Sequence, residues 1–131
     1  MDEVLAFLKK TDTYFLATTE GDQPRVRPFG TINQYNGRLY IQTGKNKDVS
    51  KQIAANPKVE ICAWQGADWL RVQAVLVDDP NLEAQQDLLN DYPVLQDRYK
   101  AGDGNNQVFY LKDVTATFYS FEAEAPRVFK F

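Results

Sequence analysis

Between Arg25 and Lys58 the chain carries seven basic side chains, Arg25, Arg27, Arg38, Lys45, Lys47, Lys51 and Lys58, against a single acid, Asp48. The 131-residue chain as a whole is acidic, with 15 Lys and Arg, 18 Asp and Glu, and a formal charge of −3. Cations gathered into one segment of an acidic protein point to an anionic ligand; a solvated basic face is the alternative. The spacing is what suggests a site. Arg25, Arg27 and Phe29 alternate along an extended segment and so share one face of a strand. Thr43 ends an apolar strand-like run, and Gly44-Lys-Asn-Lys-Asp then breaks the pattern before a helix in which Lys47 and Lys51, four apart, stack. The free N–H groups and dipole of a helix start bind anions, and a Thr hydroxyl and a Lys ammonium add to that. A phosphate site can be built this way without a P-loop.

Several other chemistries are excluded. There is no histidine, so triads with a histidine base and His-ligated zinc or haem are ruled out. One cysteine, Cys62, leaves no internal disulfide and no CxxC pair. It lies in the apolar run Val59-Glu-Ile-Cys-Ala-Trp and reads as a small core residue. The P-loop pattern is missing, and Gly102-Asp-Gly-Asn-Asn-Gln lacks the third glycine of a dinucleotide fingerprint. Asp78, Asp79, Asp87, Asp91 and Asp97 read as a solvated face without EF-hand spacing, so no metal site is expected. The acidic balance argues against a nucleic-acid partner, and the short apolar runs argue against a membrane span. Met1-Asp-Glu-Val has no charged-then-apolar leader, and the expectation is a cytoplasmic protein. No residue stands out as catalytic.

The elements that must position these residues form one domain over 1–131, of mainly β, α+β class. Val4, Leu5, Phe7 and Leu8 give a short amphipathic helix over Asp2–Lys10. Thr13–Thr19 reads as a strand closed by a Glu20-Gly-Asp turn, Pro24–Gln34 as a second, and Asn36-Gly37 as a hairpin into Arg38–Thr43. A helix capped by Asn46 follows and stops at Asn56-Pro57. Val59–Gln65 and Trp69–Val77 form another hairpin. A helix runs from Asp79-Pro-Asn to Tyr92-Pro93, with a further short helix over Val94–Lys100. Val108–Glu122, interrupted near Lys112-Asp113, closes the sheet. The expected architecture is a six-stranded antiparallel split barrel with two or three short helices, whose closure removes exposed sheet edges. Trp64 and Trp69 flank a hairpin and read as packing or contact residues.

The ordered set Tyr14-Phe-Leu-Ala-Thr, Gln23-Pro-Arg-Val-Arg-Pro-Phe, Leu39-Tyr-Ile-Gln-Thr, Lys47…Lys51-Gln-Ile-Ala-Ala-Asn-Pro-Lys-Val-Glu-Ile-Cys-Ala and Trp69-Leu-Arg-Val-Gln-Ala resembles the pyridoxamine 5′-phosphate oxidase-like, FMN-binding split barrels. The likeness runs from the first helix to about Val77 and more loosely beyond. It implies a noncovalent FMN whose phosphate and ribityl chain are held by Arg25, Arg27, Thr43 and Lys47, with Lys45, Asn46 and Lys51 as second choices. Gln42 falls where the family presents a residue to the cofactor, and Trp69 where the matching strand approaches the flavin, often from the partner subunit. A homodimer with cofactor sites at its interface is implied as well. Two departures separate the chain from the true oxidases. Ala125–Phe131 lacks their substrate-gripping Trp, Arg and Pro motif, and Asp48 stands where they often carry a base. The expectation is therefore a small FMN-dependent oxidoreductase, one of the short members, moving electrons between a reductant such as NAD(P)H and a small substrate. A non-catalytic flavin or deazaflavin (F420) binding module is the alternative.

Overall fold

Two-residue turns set the register of the sheet. Gly21-Asp22 joins Glu20 to Gln23, with Gly21 at φ +63°; Asn36-Gly37, at φ +51° and +75°, joins Tyr35 to Arg38; Gly66-Ala67 joins Gln65 to Asp68. Paired positive φ values at Asn-Gly give the twist that a tight hairpin needs. In the computed structural model, which describes residues 1–123 and 125–131, these hairpins belong to one antiparallel sheet of eight strands. The strands are β1 (Tyr14–Glu20), β2 (Gln23–Phe29), β3 (Asn33–Tyr35), β4 (Arg38–Gly44), β5 (Lys58–Gln65), β6 (Asp68–Asp78), β7 (Asn106–Ser120) and β8 (Arg127–Lys130). Their order is β2-β1-β5-β6-β7-β4-β3, with β8 added to β7.

The split-barrel α+β class is as expected, but the details differ. The path from β2 to β3 stays open, so the sheet keeps edges at β2 and β3. Pro24 and Pro28 suit β2 to one of them, because proline cannot donate to a ladder. The single strand expected over Pro24–Gln34 is broken at Gly30–Ile32, and β8 adds an eighth strand. Conversely, Val108–Glu122 does not break at Lys112-Asp113. There β7 carries a bulge, with Asp113 at φ +52°, and continues. Beyond the bulge its free edge passes from β4 to β8, since Tyr40 pairs with Tyr110 and Thr115 with Lys130.

Three helices, α1 (Asp2–Thr11), α2 (Asp48–Ala55) and α3 (Leu82–Asp91), cover the sheet. Val4 and Leu8 of α1 and Val49 and Ile53 of α2 enter a core with Leu16, Ile41, Ile61, Leu70, Val72 and Ala116. Spacings of four place each helical pair on one face. Beneath α3 a second cluster joins Ala84 and Leu88 to Tyr40 and Val108. The Asn81 side chain accepts the Glu83 and Ala84 N–H groups at 2.8 and 3.4 Å and so starts α3. The further short helix expected over Val94–Lys100 is a five-residue 3-10 helix over Pro93–Asp97. Cys62 is not a core residue: Ile61 and Ala63 point inward, and alternation turns Cys62 to the outer face of β5. No helix of the described residues is long and apolar enough to cross a membrane.

Candidate functional site

The passage from β2 to β3, the end of β4 and the start of α2 enclose a cavity of about 440 Å³. Arg27, Pro28, Phe29, Gly30 and Thr31 line one side; Gln42, Thr43, Lys47 and Val49 line another. Asp12 and Thr13 after α1, with Tyr92, Val94 and Leu95, complete it. Four of the residues singled out by sequence therefore meet here. Asp12 sits at φ +65°, ψ −56°, and the Thr13 N–H donates to Thr11 O at 2.7 Å. That is a classic γ-turn, a rare and strained conformation. Tyr92 fixes the opposite wall: its hydroxyl donates to Ile32 O and accepts the Ile32 N–H, both at 3.0 Å.

Arg27 is held firmly. Nη1 donates to Leu16 O at 3.1 Å and Thr18 Oγ1 at 2.8 Å, and Nη2 donates to Gln52 Oε1 at 2.6 Å. Of its five N–H donors, the one on Nε and one on Nη2 remain. Burial, with Arg25 nearby, lowers its pKa from the ordinary arginine value. Lys47 forms no ion pair or side-chain hydrogen bond among the described residues. It also replaces Asn46 as the residue preceding α2, with extended backbone (φ −84°, ψ 150°) and no side-chain cap. Among the described residues the N–H groups of Asp48 and Val49 therefore find no acceptor at the positive end of α2. Thr43 and Gln42 are buried at the end of β4. The Gln42 N–H donates to Thr31 Oγ1 at 2.9 Å and its amide to Asn106 Oδ1 at 2.8 Å.

The other candidates lie apart from the cavity. Arg25 shares the face of Arg27, but its guanidinium meets Glu20 Oε1 at 2.9 and 3.2 Å. Lys51 is exposed and 4.0 Å from Asp48, and Lys47 precedes α2 instead of lying within it. The Asp48 side chain is 86% exposed, and Asp48 is not among the residues that line the cavity. Lys45 and Asn46 lie on the turn before α2, tied through their backbone to Asn105. Trp69 stacks on Tyr119, with centroids 4.2 Å apart and planes 15° apart, in an apolar depression with Cys62, Trp64 and Phe121 on the outer sheet face. Sequence reasoning missed Thr18 and Gln52, the partners of Arg27. The hairpin register, which sets Leu16 opposite Arg27, and the helical spacing of Val49, Gln52 and Ile53 could have placed both.

An open antiparallel sheet with helices over its split, and a cation-lined cavity where a strand passes into a helix, defines the split-barrel class. Within that class the chain belongs to the pyridoxamine 5′-phosphate oxidase family, whose family model matches residues 1–117. It is similar to a NimC/NimA family protein from Clostridium acetobutylicum, at 37% identity over 100% of this chain and 93% of that one, with a TM-score of 0.94. General stress protein 26 from Bacillus anthracis str. Sterne shares the fold at 15% identity, covering 99% and 97% of the two chains (TM-score 0.79). So does a pyridoxamine 5′-phosphate oxidase-related, FMN-binding protein from Nostoc punctiforme PCC 73102, at 16% identity over 97% and 85% (TM-score 0.69). A comparison with curated proteins returns no match.

Proposed function

We propose that this protein binds FMN noncovalently and passes electrons through it as a small oxidoreductase. In this reading it is a cytoplasmic homodimer with its cofactor sites at the interface. The observation that carries the reading is the meeting of Arg27, Thr43 and Lys47 beside the uncapped start of α2. That donor set suits a phosphate dianion: two cations, a hydroxyl and free backbone N–H groups, with no carboxylate at the helix end turned toward them. Lys47 and Arg27 would hold the phosphate, and Thr43 and Gln42 the chain beyond it. Pro28, Phe29, Val94 and Leu95 supply an apolar wall that excludes water from a planar ring. FMN, when bound, supplies the electron transfer; the protein supplies position and electrostatics.

Family membership and the FMN-binding relative from Nostoc support the cofactor, and the single thiol agrees with a reducing compartment. The dimer is supported by apolar side chains on the outer sheet face: Phe15, Val26 and Trp64 are 50%, 67% and 68% exposed. The test is direct. Purified protein should show a flavin absorbance band and release a molecule with the mass of FMN. Protein that stays colourless after FMN is added overturns the reading, and a released deazaflavin replaces FMN with F420. Bound FMN with no NAD(P)H oxidation across a substrate panel leaves a storage or sensing module in place of an enzyme.

A further inference from the structure

Arg25 and Arg27 stand two residues apart on one strand and point the same way, yet their surroundings have opposite character. Arg25 rests on the carboxylate of Glu20, and its charge is cancelled there. The acceptors around Arg27 are all neutral: a carbonyl, a hydroxyl and an amide. Gln52 is central among them. It is buried in α2, and its Oε1 accepts both Arg27 Nη2 and Thr18 Oγ1 at 2.6 Å. Thr18 Oγ1 in turn accepts Arg27 Nη1 at 2.8 Å, which closes a ring of three side chains from α2, β1 and β2. The Gln52 amide nitrogen reaches Glu20 Oε2 at 3.5 Å, and this orients the amide so that its oxygen faces the guanidinium.

We propose that Gln52 is the positioning residue of the anion site: a neutral acceptor that locks the Arg27 guanidinium toward the cavity without cancelling its charge. The proposal rests on the FMN reading above. An arginine on an edge strand otherwise samples many rotamers, and ordering it during folding removes that cost from ligand binding. A glutamate at position 52 would still accept from Arg27 but would set a negative charge against it, as Glu20 does for Arg25, and would lose the donor that meets Glu20 Oε2. Because Gln52 belongs to α2, the same helix that offers its N-terminus to the cavity also aims the arginine from β2. The two halves of the anchor are thereby joined.

The experiment is a double-mutant cycle on the full chain, read as the FMN dissociation constant from flavin fluorescence quenching, together with melting temperatures. R27A should weaken FMN by roughly 30- to 100-fold and Q52M by about tenfold, the range of charge-assisted hydrogen bonds. R27A/Q52M should bind within about threefold of R27A, because Gln52 acts only through Arg27. Q52E should lose about tenfold in FMN affinity while staying folded by circular dichroism, with its melting temperature lowered by the facing Glu20 carboxylate. Additive losses in the double variant, or Q52E binding FMN as the native protein does, overturn the proposal. Should Q52M fail to fold by circular dichroism, Q52E alone decides. A native protein that does not bind FMN, or an R27A variant that binds it unchanged, defeats the cofactor reading itself. R27A weakened with Q52M and Q52E unaffected defeats only the role of Gln52.

Discussion

The Asn105 carbonyl accepts the Lys45 N–H at 2.7 Å, and the Asn105 side-chain oxygen accepts the Asn46 N–H at 3.1 Å, so one residue of a distant loop braces the turn that leads into α2. That loop is itself held by Asp103, whose carboxylate accepts the N–H groups of Lys100, Asn105 and Asn106 at 2.8, 2.7 and 2.6 Å. Those three backbone bonds hold the Asp103 carboxyl below the usual carboxylate range. Its contribution to stability is therefore complete above its unfolded pKa and lost as pH falls through the lower folded value. Asp103→Asn, which cannot accept all three bonds, should lower the melting temperature at pH 7 by a few degrees. The gap from the native protein should close as pH drops below the ordinary aspartate value, near 3.9. A gap that persists unchanged at low pH excludes this role for Asp103.

The basic residues should divide by what they already touch. Among the described residues Lys47 lines the cavity without a side-chain partner, whereas Arg25 lies on Glu20 and Lys51 beside Asp48 in solvent. Lys47→Ala should weaken FMN binding by about tenfold or more, while Lys51→Ala and Arg25→Ala stay within roughly threefold, in line with the small worth of exposed pairs. Titrations at two salt concentrations check this. Equal losses at all three positions would show a diffuse basic surface instead of a built anchor.

Outward apolar residues should control assembly. Phe15 and Trp64 lie on adjacent strands, with Phe15 opposite Cys62, and add nothing to the core. Trp64→Asp and Phe15→Asp should convert a dimer to a monomer in sedimentation velocity while leaving far-ultraviolet circular dichroism unchanged. FMN binding should weaken in the same variants, since the sites are proposed to lie at the interface. A native protein that sediments as a monomer at micromolar concentration removes the proposal.

Alkaline stability should depend on Tyr40. It is buried, and its hydroxyl donates to Asp79 Oδ2 at 2.7 Å. Burial first, and the Asp79 carboxylate second, push its pKa up to about 12. The folded chain keeps this proton while the unfolded chain releases it near pH 10, so stability falls between those values as pH rises. Tyr40→Phe should cost about 1 kcal/mol at pH 7, the worth of one hydrogen bond, and flatten that alkaline decline. Urea unfolding at pH 8 and above measures both effects. An alkaline limb of unchanged slope assigns the titration elsewhere.

Much of this architecture was legible from local chemistry. Asn36-Gly37 could only be a tight turn, and Val4 with Leu8 could only be one face of a helix, so the hairpins and helices followed from residue type and spacing. The short strand Arg127–Lys130 gave no such signal, because its side chains are largely exposed and carry no alternation of apolar and polar residues. The site was legible in the same uneven way. Lys47 and Thr43 were found because a strand-to-helix junction has a recognisable chemistry. Arg25 was indistinguishable from Arg27 on the strand, since what separates them is Glu20 across the turn and Gln52 on a helix 25 residues further along. Asn46 looked like the cap because its residue type favours that position, yet its backbone N–H is committed to Asn105 and the helix begins one residue later.

The length of β7 has a consequence for how the chain is made. This strand is the shared neighbour of β4, β6 and β8. A nascent polypeptide that has emerged only as far as α3 therefore presents two ladders with no mate, on β4 and on β6. Synthesis must run past Tyr110 before the β4 ladder is satisfied and past Ser120 before the whole β6 ladder is, and the growing chain depends until then on dilution or chaperone cover to escape clumping at the ribosome.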